Sequence, residues 1–152
     1  MISAVFDCMV FLQAATNMRG PSFACLGLVE SGSVSLAVSP AILAEVRNVL
    51  TRPKTRKGFT TLTDQRVEIF LQKIAMVATV ADDPADAGFP LRDPTDLPYL
   101  NLAVATDSRY LVSWDNDLRD LMKDASFIGR FPHLQVVDPV NFLGAARPLK
   151  NP

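Results

Sequence analysis

Histidine and cysteine are scarce: 152 residues contain one His and two Cys. With His133 alone, H-E-x-x-H and every other multi-histidine zinc site are excluded. Cys8 and Cys25 stand 17 positions apart and form no C-x-x-C pair. Neither a structural zinc site nor a disulfide scaffold is therefore encoded, and a reducing cytoplasm is the expected location. The glycine loops G-x-x-x-x-G-K-[ST] and G-x-G-x-x-G are missing, which removes the common nucleotide cradles. No apolar run reaches the ~18 residues that read as a membrane span, so no membrane partner is expected. The opening MISAVFDCMVFL carries Asp7 and lacks the basic start of a signal peptide. Nor is there an excess of one charge, with 15 Lys plus Arg against 16 Asp plus Glu. Nucleic-acid binding would have to come from a local patch.

Aspartate, by contrast, is abundant, with 13 copies in a chain whose length fits one domain. Ile2 to Phe6 is an apolar run that reads as a buried strand and stops at Asp7. Helices are expected over 8–18 and 22–31, the second closed near Gly32, followed by a strand from Val34 to Val38. Ser39-Pro40 starts a helix to about Leu50, with a Ser N-cap and Pro in the first turn. A polar loop follows over 51–62. Thr63 caps the next helix, and Met76 to Val80 reads as a third strand. Residues 81–95 form a long acidic loop, of the kind that is often functional. Asp96 to Ala105 is expected to be helical, Arg109 to Trp114 a fourth strand, 117–123 a short helix and Leu134 to Val137 a fifth strand. Asp138-Pro139 reads as a turn. Alternating strands and helices imply a parallel sheet covered on both faces, with ligands beyond the carboxyl ends of its strands. Asp7, the 81–86 cluster and Asp115 belong at that edge.

Each acid taken alone has an ordinary explanation. Asp7 and Asp115 suit strand-end helix caps, Glu45 a partly buried helix position, and Asp96 a first-turn residue favoured by the helix dipole. Glu45 follows Ile42 by three and precedes Val49 by four, which puts it on or beside the buried face. Four inward or strand-end carboxylates converging on one sheet edge repel one another and call for a cation. No Lys or Arg stands at a fixed spacing beside them. A hard divalent ion, Mg²⁺ or Mn²⁺, is the natural partner of such an all-oxygen set.

Four segments resemble the PIN-domain ribonucleases, specifically the VapC-like toxin components of toxin–antitoxin pairs. AVFDCMVFLQA resembles the first strand and its catalytic Asp. SPAILAEVRNVLTRPK resembles the helix bearing the catalytic Glu. RDPTDLPYLNLAVA resembles the D-P-x-D helix start, and DSRYLVSWDNDLRDL the strand ending in S/T-x-D-x-D-L. The last two, about 19 residues apart, are the most specific. The resemblance spans residues 2 to 143 and implies a three-layer α/β/α sandwich on a mostly parallel sheet of four to five strands. It implies one PIN-like domain over 1–144 and a loose tail over 145–152. It places the catalytic acids at Asp7, Glu45, Asp96 and Asp115, and the metal ligands at Asp7, Asp96, Asp115 and Asp117, with Ser113 and Asp93 in support. Met9 departs from the pattern, since the family reads D-x-N there and its Asn orients neighbouring acids.

The implied chemistry is metal-dependent hydrolysis of an RNA phosphodiester, with Glu45 orienting the attacking water. Arg47, Arg52, Lys54, Arg56 and Lys57 form a basic segment that reads either as a solvated loop or as a rim gripping the RNA backbone. Phe59 in the same stretch suits base stacking or packing on the body equally. The resemblance further implies a cognate antitoxin and a homodimer, with the apolar residues of 8–31 serving as a dimer face or as core. Two other families that open on a strand-end Asp fit less well. A haloacid-dehalogenase-type phosphotransferase needs an Asp where Met9 stands, and a response-regulator receiver needs a Lys where Asp138-Pro139 stands. The alternative from a different functional class is a PIN module that binds RNA or protein without cutting.

Overall fold

A computed structural model describes residues 1–147. Five parallel strands, β1 (Ile2–Phe6), β2 (Val34–Val38), β3 (Thr79–Val80), β4 (Tyr110–Val112) and β5 (Gln135–Val137), lie in the order β3-β2-β1-β4-β5. Nine helices complete the described residues: α1 (Cys8–Thr16), α2 (Pro21–Glu30), α3 (Pro40–Thr51), α4 (Pro53–Gly58), α5 (Asp64–Val77), α6 (Leu97–Ala105), α7 (Asn116–Arg119), α8 (Ala125–Arg130) and α9 (Pro139–Ala146). The result is an α/β/α sandwich. β1 sits at its centre with Ala4, Val5 and Phe6 all buried, which requires packed layers on both faces of the strand. Phe6 packs edge-on against Phe142 of α9 and at a tilt against Phe11 of α1.

The strand order places the site. From β1 the chain moves outward through β2 to β3, then returns through α6 to β4 on the other side of β1. The sheet therefore has its switch point between β1 and β4, where a crevice opens beyond the carboxyl ends. Register there aligns Phe6 with Val112, so the residues that follow, Asp7 and Ser113, emerge side by side.

Local chemistry explains most boundaries. Ser39 caps α3 by accepting the Ile42 N–H at 3.3 Å, with Pro40 in the first turn, and Thr63 caps α5 through the Arg66 N–H. Gly32, at φ 82°, ends α2 in the left-handed conformation that glycine tolerates best.

Several expectations need correction. The segment read as a loop over 51–62 contains α4, which has Pro53 at its start but no buried residue and hence no apolar periodicity to betray it. The expected strand from Met76 shrinks to Thr79–Val80, because α5 continues through Val77. Ile74 and Val77 lie three apart and keep one helical face on the core, while Met76 is 84% exposed. Asp138-Pro139 is not a turn but the cap of α9. Asp138 accepts the Asn141 N–H at 2.8 Å, the same Pro-in-first-turn signal as at α3. That helix runs two residues past Gly144, so Ala145 and Ala146 are helical rather than loose, and residues 148–152 of the expected tail lie outside the described residues. Of the apolar residues in 8–31, Val10, Phe11, Ala14, Cys25, Leu26 and Val29 belong to the core, while Met9 and Met18 stay exposed.

Candidate functional site

Asp7 ends β1 and caps α1, accepting the Val10 N–H at 3.1 Å, and is 4% exposed. Its second oxygen, Oδ2, accepts a bond from the hydroxyl of Ser113, the fully buried residue that follows β4. The Ser113 hydroxyl in turn accepts the Asp115 N–H at 2.9 Å, and Asp115 accepts the Asp117 N–H at 2.8 Å. One serine thus ties the carboxyl end of β1 to the start of α7. Burial pushes the Asp7 carboxyl up to about 6 against the pull of the Ser113 and Val10 bonds, and Asp115 adds to the rise.

Asp96 closes a short 3-10 turn, Pro94–Asp96, that leads into α6. Burial first, then the charges of Asp115, Asp93 and Asp7, push it up to about 7, and its carboxyl lies within hydrogen-bond reach of Asp115. Asp93 caps that turn through the Thr95 N–H at 3.0 Å and hydroxyl at 2.8 Å, bonds that hold its own carboxyl below the usual range. Glu45 is partly buried on α3 and lies against Cys8 and Tyr99 rather than in the Asp group.

Asp7, Asp96 and Asp115 therefore meet at one end of the sheet, with Ser113 bonded to the Asp7 carboxylate and the Asp115 N–H, and Asp93 capping the turn that carries Asp96. Asp117 faces a separate partner. Arg92 pairs with it at 3.1 Å, so the acid group does have a neighbouring cation, contrary to the expectation from sequence spacing. The two border a cavity of about 210 Å³ lined also by Asp93, Asp96, Asp120 and Asp124, a lining that does not include Asp7, Asp115 or Glu45. Among the described residues, no three His, Cys, Asp or Glu side chains stand close enough to grip one ion unaided. The donor set still suits a hard cation. It is all oxygen, and Arg92 is taken up by Asp117, which leaves Asp7, Asp96 and Asp115 without an ion pair among the described residues. Mg²⁺ is commonly held by only one or two carboxylates, its remaining positions filled by water and phosphate.

The basic segment divides. Arg47 is clamped by Glu68 through two bonds of 2.9 and 2.8 Å, and Arg56 is paired with Asp64. Arg52, Lys54 and Lys57 are exposed without an ion pair among the described residues. They follow the far end of α3, whose twelve residues start at the carboxyl edge of the sheet and span ~18 Å at the usual helical rise. The free cations therefore do not rim the acid group directly. Phe59, beside them, is 42% exposed. Trp114 is half-buried, its indole N–H bonded to Ser22 at 3.0 Å, and His133 is exposed. Sequence reasoning did not find Tyr99, Cys8 or Arg92. Arg92 sits one residue from Asp93, but only the fold brings it to Asp117.

Residues 3–117 match the profile of the family described as PIN domain. No curated protein matches the chain. In three dimensions it is similar to a chain of the crystal structure of VapBC2 from Rickettsia felis bound to a DNA fragment from their promoter. The TM-score is 0.56 and the identity 16%, over 90% of this chain and 98% of that one.

Proposed function

The chain belongs to the PIN domain family, and from that premise we propose that it is a metal-dependent endoribonuclease, the toxin of a toxin–antitoxin pair acting in the cytoplasm. One observation carries the proposal: Asp7, Asp96 and Asp115 converge at the switch point of the sheet with no compensating charge inside the group. Asp7 and Asp96 would hold the ion, Mg²⁺ or Mn²⁺, with Asp115 and Asp117 in support through water. When bound, the ion would supply Lewis acidity and lower the pKa of its water. Ser113 fixes Asp7 and Asp115 at their positions, Asp93 shapes the turn that presents Asp96, and Glu45 orients the attacking water. Arg52, Lys54 and Lys57 bind phosphates of the RNA several nucleotides from the scissile bond. The likeness to a chain of VapBC2 supports an antitoxin as partner, and a homodimer is part of the same proposal.

Cleavage of labelled structured RNA with Mn²⁺, with Mg²⁺ and with chelator, beside Asp7→Asn, tests the assignment. Metal-dependent cutting lost in the mutant is the expected result. No cutting by folded protein across several RNAs would favour a PIN module that binds without turnover. Met9, which is 43% exposed where the family carries Asn, would then be the first residue to restore.

Two further outcomes are expected. Asp7 and Asp96 are both pushed above the ordinary carboxyl value of 3.8, to about 6 and about 7. Their contribution to stability is fully present below that value and is lost as pH rises through 6 and 7. Tm of metal-free protein should fall across this window, and Mn²⁺ should restore it most at the alkaline end. A metal-induced rise in Tm that does not change with pH would remove Asp7 and Asp96 from the ion. Second, replacing Arg52, Lys54 and Lys57 together with Ala should lower the salt slope of RNA binding by about 2, at ~0.7 per single-strand phosphate contact. An unchanged slope would return the segment to a solvated surface.

A further inference from the structure

Three residues outside the Asp group meet beside it. Cys8 follows Asp7 on α1, Tyr99 follows Asp96 by three on α6, and Glu45 lies on α3, which packs against both helices. Tyr99 is 1% exposed, and its hydroxyl lies against the Cys8 thiol and the Glu45 carboxylate, yet it makes no well-formed hydrogen bond with either. An unpaired hydroxyl in such a place is costly, and it needs an acceptor. Of its two neighbours, the thiol is a weak acceptor and the carboxylate a strong one. The hydroxyl can donate to that carboxylate, which accepts only.

We propose that Tyr99 is a positioning residue: its hydroxyl donates to Glu45 and fixes that carboxylate beside the Asp group. The inference rests on the role given above to Glu45 and extends it to a buried residue. A side chain so held loses the freedom to swing into solvent. Tyr99 is suited to this because its ring is held in the core and its buried hydroxyl has no other partner among the described residues.

The test is a double-mutant cycle of Tyr99→Phe and Glu45→Gln, read as kcat and KM for RNA cleavage with Mn²⁺. Tyr99→Phe should lower kcat about 10-fold with KM unchanged. In the Glu45→Gln background it should cost nothing further. Equal losses in both backgrounds, or full kcat in the single variant, overturn the proposal. Glu45→Gln cleaving at the wild-type rate would instead overturn the role of Glu45 itself. A readout without turnover is the ¹³C resonance of the Glu45 carboxyl in metal-free protein. Tyr99→Phe should displace it, and an unmoved resonance would show that the hydroxyl donates elsewhere.

Discussion

Asp96→Asn is expected to abolish RNA cleavage and, at the same time, to make the metal-free protein more stable above neutral pH. The two effects share one cause. Asp96 is pushed up to about 7 by burial and by the charges of Asp115, Asp93 and Asp7, so at pH 8 it is ionised in surroundings that disfavour its charge. Asn keeps the shape and removes the charge. Because the side chain is only partly buried and solvent screens the repulsion, the gain should be about 1 kcal/mol rather than the full value of the shift. At pH 5 the gain should be smaller, and it should vanish only below the ordinary value of 3.8, where the unfolded carboxyl is protonated as well. Cleavage should fall by about 10³-fold, since losing a ligand removes several kcal/mol of transition-state stabilisation. Chemical denaturation at pH 5 and pH 8 beside a cleavage assay reads both. A variant that cuts at the wild-type rate would take Asp96 out of the site, and a loss of stability at pH 8 would mean that its repulsive neighbours had been misidentified.

Ser113→Ala should harm both fold and function, though it removes one oxygen. That hydroxyl donates to Asp7 and accepts the Asp115 N–H, and the residue is fully buried. Without it, a buried carboxylate loses a donor and the partly buried Asp115 amide loses its acceptor, at a cost of about 1–3 kcal/mol. The Asp7 carboxyl should move further up, because the bond that opposes its burial is gone. Metal affinity should drop 10–100-fold, the usual effect of removing a group that orients a ligand. Isothermal titration with Mn²⁺ and the Tm of metal-free protein test the two halves separately. Unchanged metal affinity alongside a lower Tm would confine Ser113 to stability. Thr should rescue, as it retains the hydroxyl.

Most of this arrangement was legible in the sequence because strand ends are punctuated there. Asp7 and Asp115 follow apolar runs abruptly, and the strands that carry them proved to be neighbours, so Asp7 and Ser113 emerge together. Ser39-Pro40 gave the start of α3, and hence the phase that places Glu45. What escaped was of two kinds. Elements without an apolar face, such as α4, leave no periodic trace, and a Pro after Asp138 was read as a turn although it obeys the same capping rule as Ser39-Pro40. Contacts between distant segments were invisible. Tyr99 looked like any core aromatic in LPYLNLAVA, and nothing in its spacing tied it to Cys8 and Glu45. The charge count of the basic segment does not show its pairing: Glu68 and Asp64 occupy Arg47 and Arg56, and both partners come from α5.

The bond between Ser113 and Asp7 closes a loop of 106 residues, and the strands that carry them are nearest neighbours in the sheet. β1 is therefore made well before its partner on one side, since about 100 residues separate β1 from β4. At ~5–20 residues per second, that delay is on the order of ten seconds. Until β4 docks, Asp7 has neither Ser113 nor Asp115 beside it, and a nascent chain or a fragment cut short before β4 carries no assembled acid group. The topology that makes the crevice also acts as a timer, and withholds the centre until β4 has been made.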